Sequence, residues 1–188
     1  MTTTAEPTTG TTTWTIDASH TLVEFSAKHM MITTVKGRFA EVSGTIHVDD
    51  GNPDRSRVEV EMDAASIDTR SEQRDQHLRS GDFLDVESHP KVSFRSTRIE
   101  GAFASPGDEF RVHGELTIRG TTREIVLDAT FEGTGKDPWG GERASFSARG
   151  KIDRRDFGLT WNAALETGGV LVSNEIRIAI EAQAVKAG

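Results

Sequence analysis

The chain has 188 residues, a formal net charge of -8, a charged fraction of 28%, a hydrophobic fraction of 35% and no cysteine. Its acidity argues against nucleic acid as a partner, because phosphate binding draws on a basic surface. The absence of thiols excludes disulfides, thiolate catalysis and zinc–thiolate sites.

The length suits one domain, and the composition reads as a soluble globular fold with no membrane span. Met1 to Thr13 is threonine-rich with no Lys or Arg and no apolar run. It is expected to be a disordered tail (1–13) without a secretory signal, ahead of a single domain at 14–188, and the expected location is cytoplasmic.

From Trp14 onward the apolar residues recur mostly with a period of two, the mark of half-buried strands. Thr21, Val23, Phe25 and Ala27 share one face of a first strand. Ala40, Val42, Gly44, Ile46 and Val48 form a second, and Asp49-Asp50-Gly51-Asn52-Pro53 breaks it before Val58, Val60 and Met62. These two runs read as an antiparallel hairpin with a long loop.

Thr69-Arg70-Ser71-Glu72 has capping-box spacing with Thr69 as N-cap, which predicts a short helix at about 70–79. Val92 and Phe94 mark the next strand. Phe110, Val112, Gly114, Leu116 and Ile118 alternate, turn at Arg119-Gly120-Thr121-Thr122, and return as Ile125, Leu127, Ala129 and Phe131. A glycine-rich turn is expected from Gly133 to Gly141. It leads to Ala144, Phe146, Ala148, Gly150 and Ile152, and Ile176, Ile178, Ile180 and Ala182 make the last strand. The stretch 154–170 has neither period and is read as a capping loop region.

About eight sequential antiparallel strands predict an all-β fold, an antiparallel eight-stranded barrel, which closes on itself and removes exposed edges. Such a barrel is filled by side chains or holds one small ligand. Ala27, Gly44, Gly114, Ala129, Ala148 and Gly150 lie on the apolar parity. They either leave room for a ligand or mark bulges and tight corners.

The six histidines, His20, His29, His47, His77, His89 and His113, lack the close pair spacing of a metal clamp, so no metal or cofactor is expected. No nucleophile elbow or phosphate-cradling loop is present. Glu59, Glu61 and Asp63 fall on a wet strand face, and His47 and His113 face water by parity. His29 continues the inward parity of Phe25 and Ala27 and reads as a buried histidine or a ligand contact. Trp139 reads as packing at a barrel mouth. Between Arg70 and Pro90, Arg74, Asp75 and Asp82 suggest an ion-pair tie, whereas Arg74, His77 and Arg79 suit an anionic head group.

In order and spacing, several segments resemble the YceI-like family, the polyisoprenoid-binding proteins with a lipocalin-like barrel. They are Trp14-Thr15-Ile16-Asp17 with Ser19-His20, Val35-Lys36-Gly37-Arg38-Phe39, Ser66-Ile67-Asp68-Thr69, Arg74-Asp75-Gln76-His77-Leu78 and Asp82-Phe83-Leu84-Asp85. His29, Pro90-Lys91-Val92-Ser93-Phe94 followed by Ser96-Thr97, Gly114 to Thr122 and Arg155-Asp156-Phe157-Gly158 complete the set, which spans about Trp14 to Ala184.

The resemblance implies a non-catalytic binder of a long isoprenoid tail or a related amphiphile such as a quinone or fatty amide. On that reading Phe25, Met30, Met31, Phe39, Leu78, Phe94, Leu116, Phe146 and Phe157 are the expected apolar wall, the methionines as adaptable contacts. His29, Arg74 and His77 are the expected head-group residues. The partner is then an isoprenoid or similar amphiphilic lipid, without nucleic acid or stable membrane insertion, and a homodimer is left open. Two other functions fit the same residues: a stress-response protein with a filled barrel acting through its surface, and an enzyme acting on a small amphiphile in the cavity.

Overall fold

The structure, a computed structural model, describes residues 10–188. Eleven strands form one continuous antiparallel sheet: β1 (Thr11–Ile16), β2 (Leu22–His29), β3 (Thr33–Phe39), β4 (Val42–Asp49), β5 (Arg57–Asp63), β6 (Ile67–Asp68), β7 (Lys91–Glu100), β8 (Glu109–Ile118), β9 (Thr121–Lys136), β10 (Glu142–Asp153) and β11 (Glu175–Lys186). One helix, α1 (Glu72–Arg79), lies between β6 and β7. Among the described residues no helix is long and apolar enough to cross a membrane.

Eight of these strands close a ring in the order β1-β4-β5-β7-β8-β9-β10-β11, with β11 pairing back onto β1. The expected eight-stranded barrel is present, but its closing strand is β1 rather than the segment around Val23. β1 begins three residues ahead of Trp14, within the span expected to be a tail; the rest of that tail, Met1–Thr9, lies outside the described residues.

The closure has a local cause. β1 and β2 use the same edge of β11, Ile16 opposite Ala184 and Leu22 opposite Glu181. A tight turn at Ala18–His20 separates them, capped by the Asp17 carboxylate, which accepts from the Ser19 N–H at 3.0 Å. The bend sends β1 across to β4 and lets β2 splay outward with β3 and β6 as a flap of extra wall.

Alternation then fixes which side chains point inward. Val60, Phe94 and Leu116 stand in register across β5, β7 and β8. Ile46 and Val58 do the same across the β4–β5 hairpin. Charged residues on the other face pair across strands, as Arg95 does with Glu115 and Lys91 with Asp63. The β8–β9 hairpin turns at Arg119 and Gly120, both at positive φ, the backbone of a two-residue hairpin turn. β9 runs on to Lys136, so Gly133 belongs to a strand, and the glycine-rich turn shrinks to Asp137–Gly141.

Two further expectations change. The N-cap of α1 is Ser71, whose hydroxyl faces the Arg74 N–H, because Thr69 is buried and already committed to Asp75 and Arg74. Trp139 is 87% exposed at the β9–β10 turn and packs against no barrel mouth.

An apolar cavity closed at one end by a helix and a clamped loop

Inside the ring the inward residues do not fill the interior. They enclose a cavity of about 880 Å³, within the size range of small-molecule sites. Its wall runs from Val23, Phe25 and Phe39 through Val60, Phe94, Leu116 and Leu127 to Phe146 and Ile180. Polar side chains reach it mainly at the ends: Thr69, Ser71, Gln73, Arg74 and His77 at one, Ser56 and Arg57 at the other. The barrel is therefore not filled by its own side chains.

Of the small inward residues, Ala27, Ala129 and Ala148 line the cavity, whereas the space beside Gly44, Gly114 and Gly150 is taken by neighbouring atoms. A Cβ on Gly114 would collide with the far edge of the Phe94 ring and with the Arg95 carbonyl oxygen, so the Phe94 ring takes the space a side chain there would need. The glycine lets a large ring settle against the wall beside the strand irregularity at Ser96/Arg98. Around it, Phe103, Phe110, Phe131 and Phe146 form a ring cluster with centroids 5.0–6.5 Å apart.

One end of the barrel is covered by α1 and by the segment from Arg154 to Asn174. The helix is held down by a dense set of bonds. The buried Asp75 carboxylate accepts from the Thr69 N–H at 2.9 Å, and Arg74 donates through Nε and a terminal nitrogen to the Thr69 hydroxyl and carbonyl, both at 2.7 Å. Arg79 donates to the carbonyls of Ala65 and Ile67. The expected ion-pair tie therefore takes another form: among the described residues Arg74 makes no salt bridge, and Asp82 pairs with His77 at 2.9 Å.

The second cover is organised around Arg154, which is 3% exposed although charged. Its guanidinium donates to the carbonyls of Ser173 at 2.9 Å, Leu159 at 2.7 Å and Trp161 at 2.8 Å. Burial pushes its pKa below the ordinary guanidinium value, and no carboxylate lies within salt-bridge distance among the described residues. Asn162 adds bonds to both the N–H and the carbonyl of Val172. Trp161 then meets His77 edge-on at 4.6 Å and Phe83 at 5.4 Å, joining loop to helix.

Of the residues expected to form the wall, Phe25, Phe39, Leu78, Phe94, Leu116 and Phe146 line the cavity, and Arg74, His77 and His29 lie on its rim. Three expected wall residues do not line it. Met30 and Met31 form the tip of the β2–β3 hairpin, exposed to solvent, because the strand ends at His29 and its inward parity ends with it. Phe157 is 1% exposed but packs in the core beneath the Arg154 loop. His29 is exposed rather than buried, bridging to Val172.

Sequence reasoning passed over Arg154, Trp161, Leu171 and Val172, which lie in a stretch without periodicity. Phe110 had the signal, since it alternates cleanly within β8.

A family model described as the YceI-like domain matches residues 14–184. The chain belongs to the YceI-like family. A UPF0312 protein of Pectobacterium atrosepticum is 37% identical over 165 residues, covering 88% of this chain and 82% of the relative. Among solved structures, the YCEI protein of Campylobacter jejuni superposes with a TM-score of 0.71 at 32% identity, covering 86% of this chain and 90% of that one. A polyisoprenoid binding domain from Saccharophagus degradans shares the fold, with a TM-score of 0.68 at 12% identity over 93% of this chain and 98% of its own. The fold is thus that of a YceI-like lipocalin-type barrel.

Proposed function

We propose that this YceI-like barrel binds a long-chain isoprenoid lipid, of the polyprenyl or isoprenoid-quinone type, and carries or sequesters it without chemical change. The cavity of about 880 Å³, apolar along its length with polar side chains gathered at its ends, carries this reading. The neighbour from Saccharophagus degradans, described as polyisoprenoid binding, supports it.

Each methylene moved from water into such a wall contributes about 0.8 kcal/mol, so a chain of several isoprene units supplies enough to leave a membrane, provided the cavity is preformed. The head group sits at the α1 end. Arg74 there has the Thr69 hydroxyl and carbonyl as partners and, among the described residues, no carboxylate, which leaves its charge available to an oxygen-rich head group beside His77 and His29.

The test is mass spectrometry of lipids extracted from the natively purified protein, followed by titration with an added isoprenoid. Stoichiometric recovery of a polyprenyl or quinone species is expected. Phe94→Asp and Leu116→Asp, which place a charge on the wall, are expected to abolish loading in folded protein. A lipid-free protein that takes up no added isoprenoid, or unchanged loading in both variants, refutes the proposal.

A further inference from the structure

The β2–β3 hairpin ends in Met30, Met31 and Ile32, which are 42%, 59% and 78% exposed. Tight tips are usually built from glycine, asparagine or aspartate, which accept positive φ cheaply. Here Met30 and Met31 both take it, at φ 53° and 61°. The chain holds two side chains in the left-handed region and thereby presents three consecutive apolar groups to solvent.

The tip stands at the covered end of the cavity. The Met30 N–H donates to the Leu171 carbonyl at 2.8 Å, and Leu171, Val172, Lys28 and His29 line the rim. The hairpin's own sequence differs in charge from the rest of the chain. Between Phe25 and Ala40 the sequence carries Lys28, Lys36 and Arg38 and no acid, in a chain of net charge -8. Lys36 pairs with Glu24 and Arg38 with Asp68, while Lys28, next to the tip, has the Thr34 hydroxyl as its side-chain partner.

We infer that the Met30–Ile32 tip is a docking wedge for a phospholipid bilayer with anionic headgroups, setting the cavity rim against the membrane from which a lipid enters. Three side chains on a protruding turn are too few for a protein interface, which covers about 800 Å² on each partner. A bilayer accepts so small a wedge, because its interface takes apolar side chains at headgroup depth and draws nearby cations to anionic lipids. The use of the docked state rests on the lipid-carrier reading, whereas docking itself is measured separately.

The experiment is flotation of the full chain with vesicles of phosphatidylcholine alone and of phosphatidylcholine mixed with phosphatidylglycerol, at low and high salt. Wild type is expected to float with the mixed vesicles, less so at high salt. The double variant Met31→Ser, Ile32→Ser alters two exposed positions and is expected to keep the fold while losing at least about tenfold in vesicle partitioning. Lys28→Gln is expected to weaken binding to the anionic vesicles only.

Trp139→Ser is the control. It removes an exposed apolar side chain from the opposite end, where Arg143 pairs with Val185 near the end of β11, while β2 meets β11 near its start at Arg177. Its binding is expected to be unchanged. Failure of wild type to float, equal flotation of the double variant, or a change of oligomeric state in that variant with flotation intact would each overturn the wedge. A chain that docks normally yet takes up no isoprenoid leaves the wedge standing and removes the carrier function.

Discussion

Replacing Arg154 by Met tests whether the loop over the cavity is held by one buried cation. The substitution keeps an unbranched stem of similar reach and removes the donors to Ser173, Leu159 and Trp161. A hydrogen bond from a charged donor contributes about 1.5–3 kcal/mol, so three set a ceiling of several kcal/mol. The freed carbonyls regain water when the segment lifts, and the expected loss is therefore about 3 kcal/mol of local opening free energy.

That loss corresponds to a roughly hundredfold increase in the open fraction, because about 1.4 kcal/mol is a factor of ten. Amide hydrogen exchange reads it directly: residues 159–173 should exchange about a hundredfold faster, while β7 and β8 keep their protection. Unchanged exchange in 159–173 refutes the clamp. An equal loss of protection in β7 and β8 refutes its locality, since Arg154 would then support the barrel as a whole.

Phe157→Ala empties a site 1% exposed that does not line the cavity, so stability by urea unfolding should fall by about 3–5 kcal/mol with lipid loading retained in folded protein; a loss below about 1 kcal/mol contradicts its core role. Gly114→Ala drives a Cβ into the Phe94 ring and the Arg95 carbonyl and should cost about 1–3 kcal/mol, whereas Gly135→Ala, with open space around it, should be near neutral. The Asp17 carboxyl is held well below the usual range by the Ser19, Arg143 and His20 side chains, and that of Asp153 down to about 2 by Arg155. Carboxylates depressed in the folded state stabilise it above their unfolded pKa, and the contribution is lost as pH falls through the folded one. Unfolding midpoints should therefore decline from about pH 5 toward pH 2, and the decline should flatten in Asp17→Asn and Asp153→Asn; an unaltered slope in both variants shows that these pairs do not carry it.

Much of the barrel is legible in the chain because one covered face imposes strict alternation. Val58, Val60 and Met62, or Phe110 through Ile118, have one orientation that keeps apolar atoms from water, and the structure keeps it. Legibility ends where burial is not periodic. Met31 keeps the parity of Phe25 and Ala27 in sequence, but β2 ends at His29, and Met30 and Met31 become an exposed tip. Phe157 is as apolar as any wall residue, yet it sits in a loop whose direction depends on Arg154, and nothing local tells core from cavity there.

The sequence by itself determined that these strands alternate, that they number enough to close, and that the chain resembles the YceI-like family, since these follow from local chemistry and residue order. Tertiary structure decided that β1 closes the ring, that Phe94 over Gly114 shapes the wall, and that Arg154 clamps the loop at the α1 end. Those outcomes depend on contacts between residues far apart in the chain, where a carbonyl at Ser173 or a ring at Phe94 becomes a partner only after the barrel has formed.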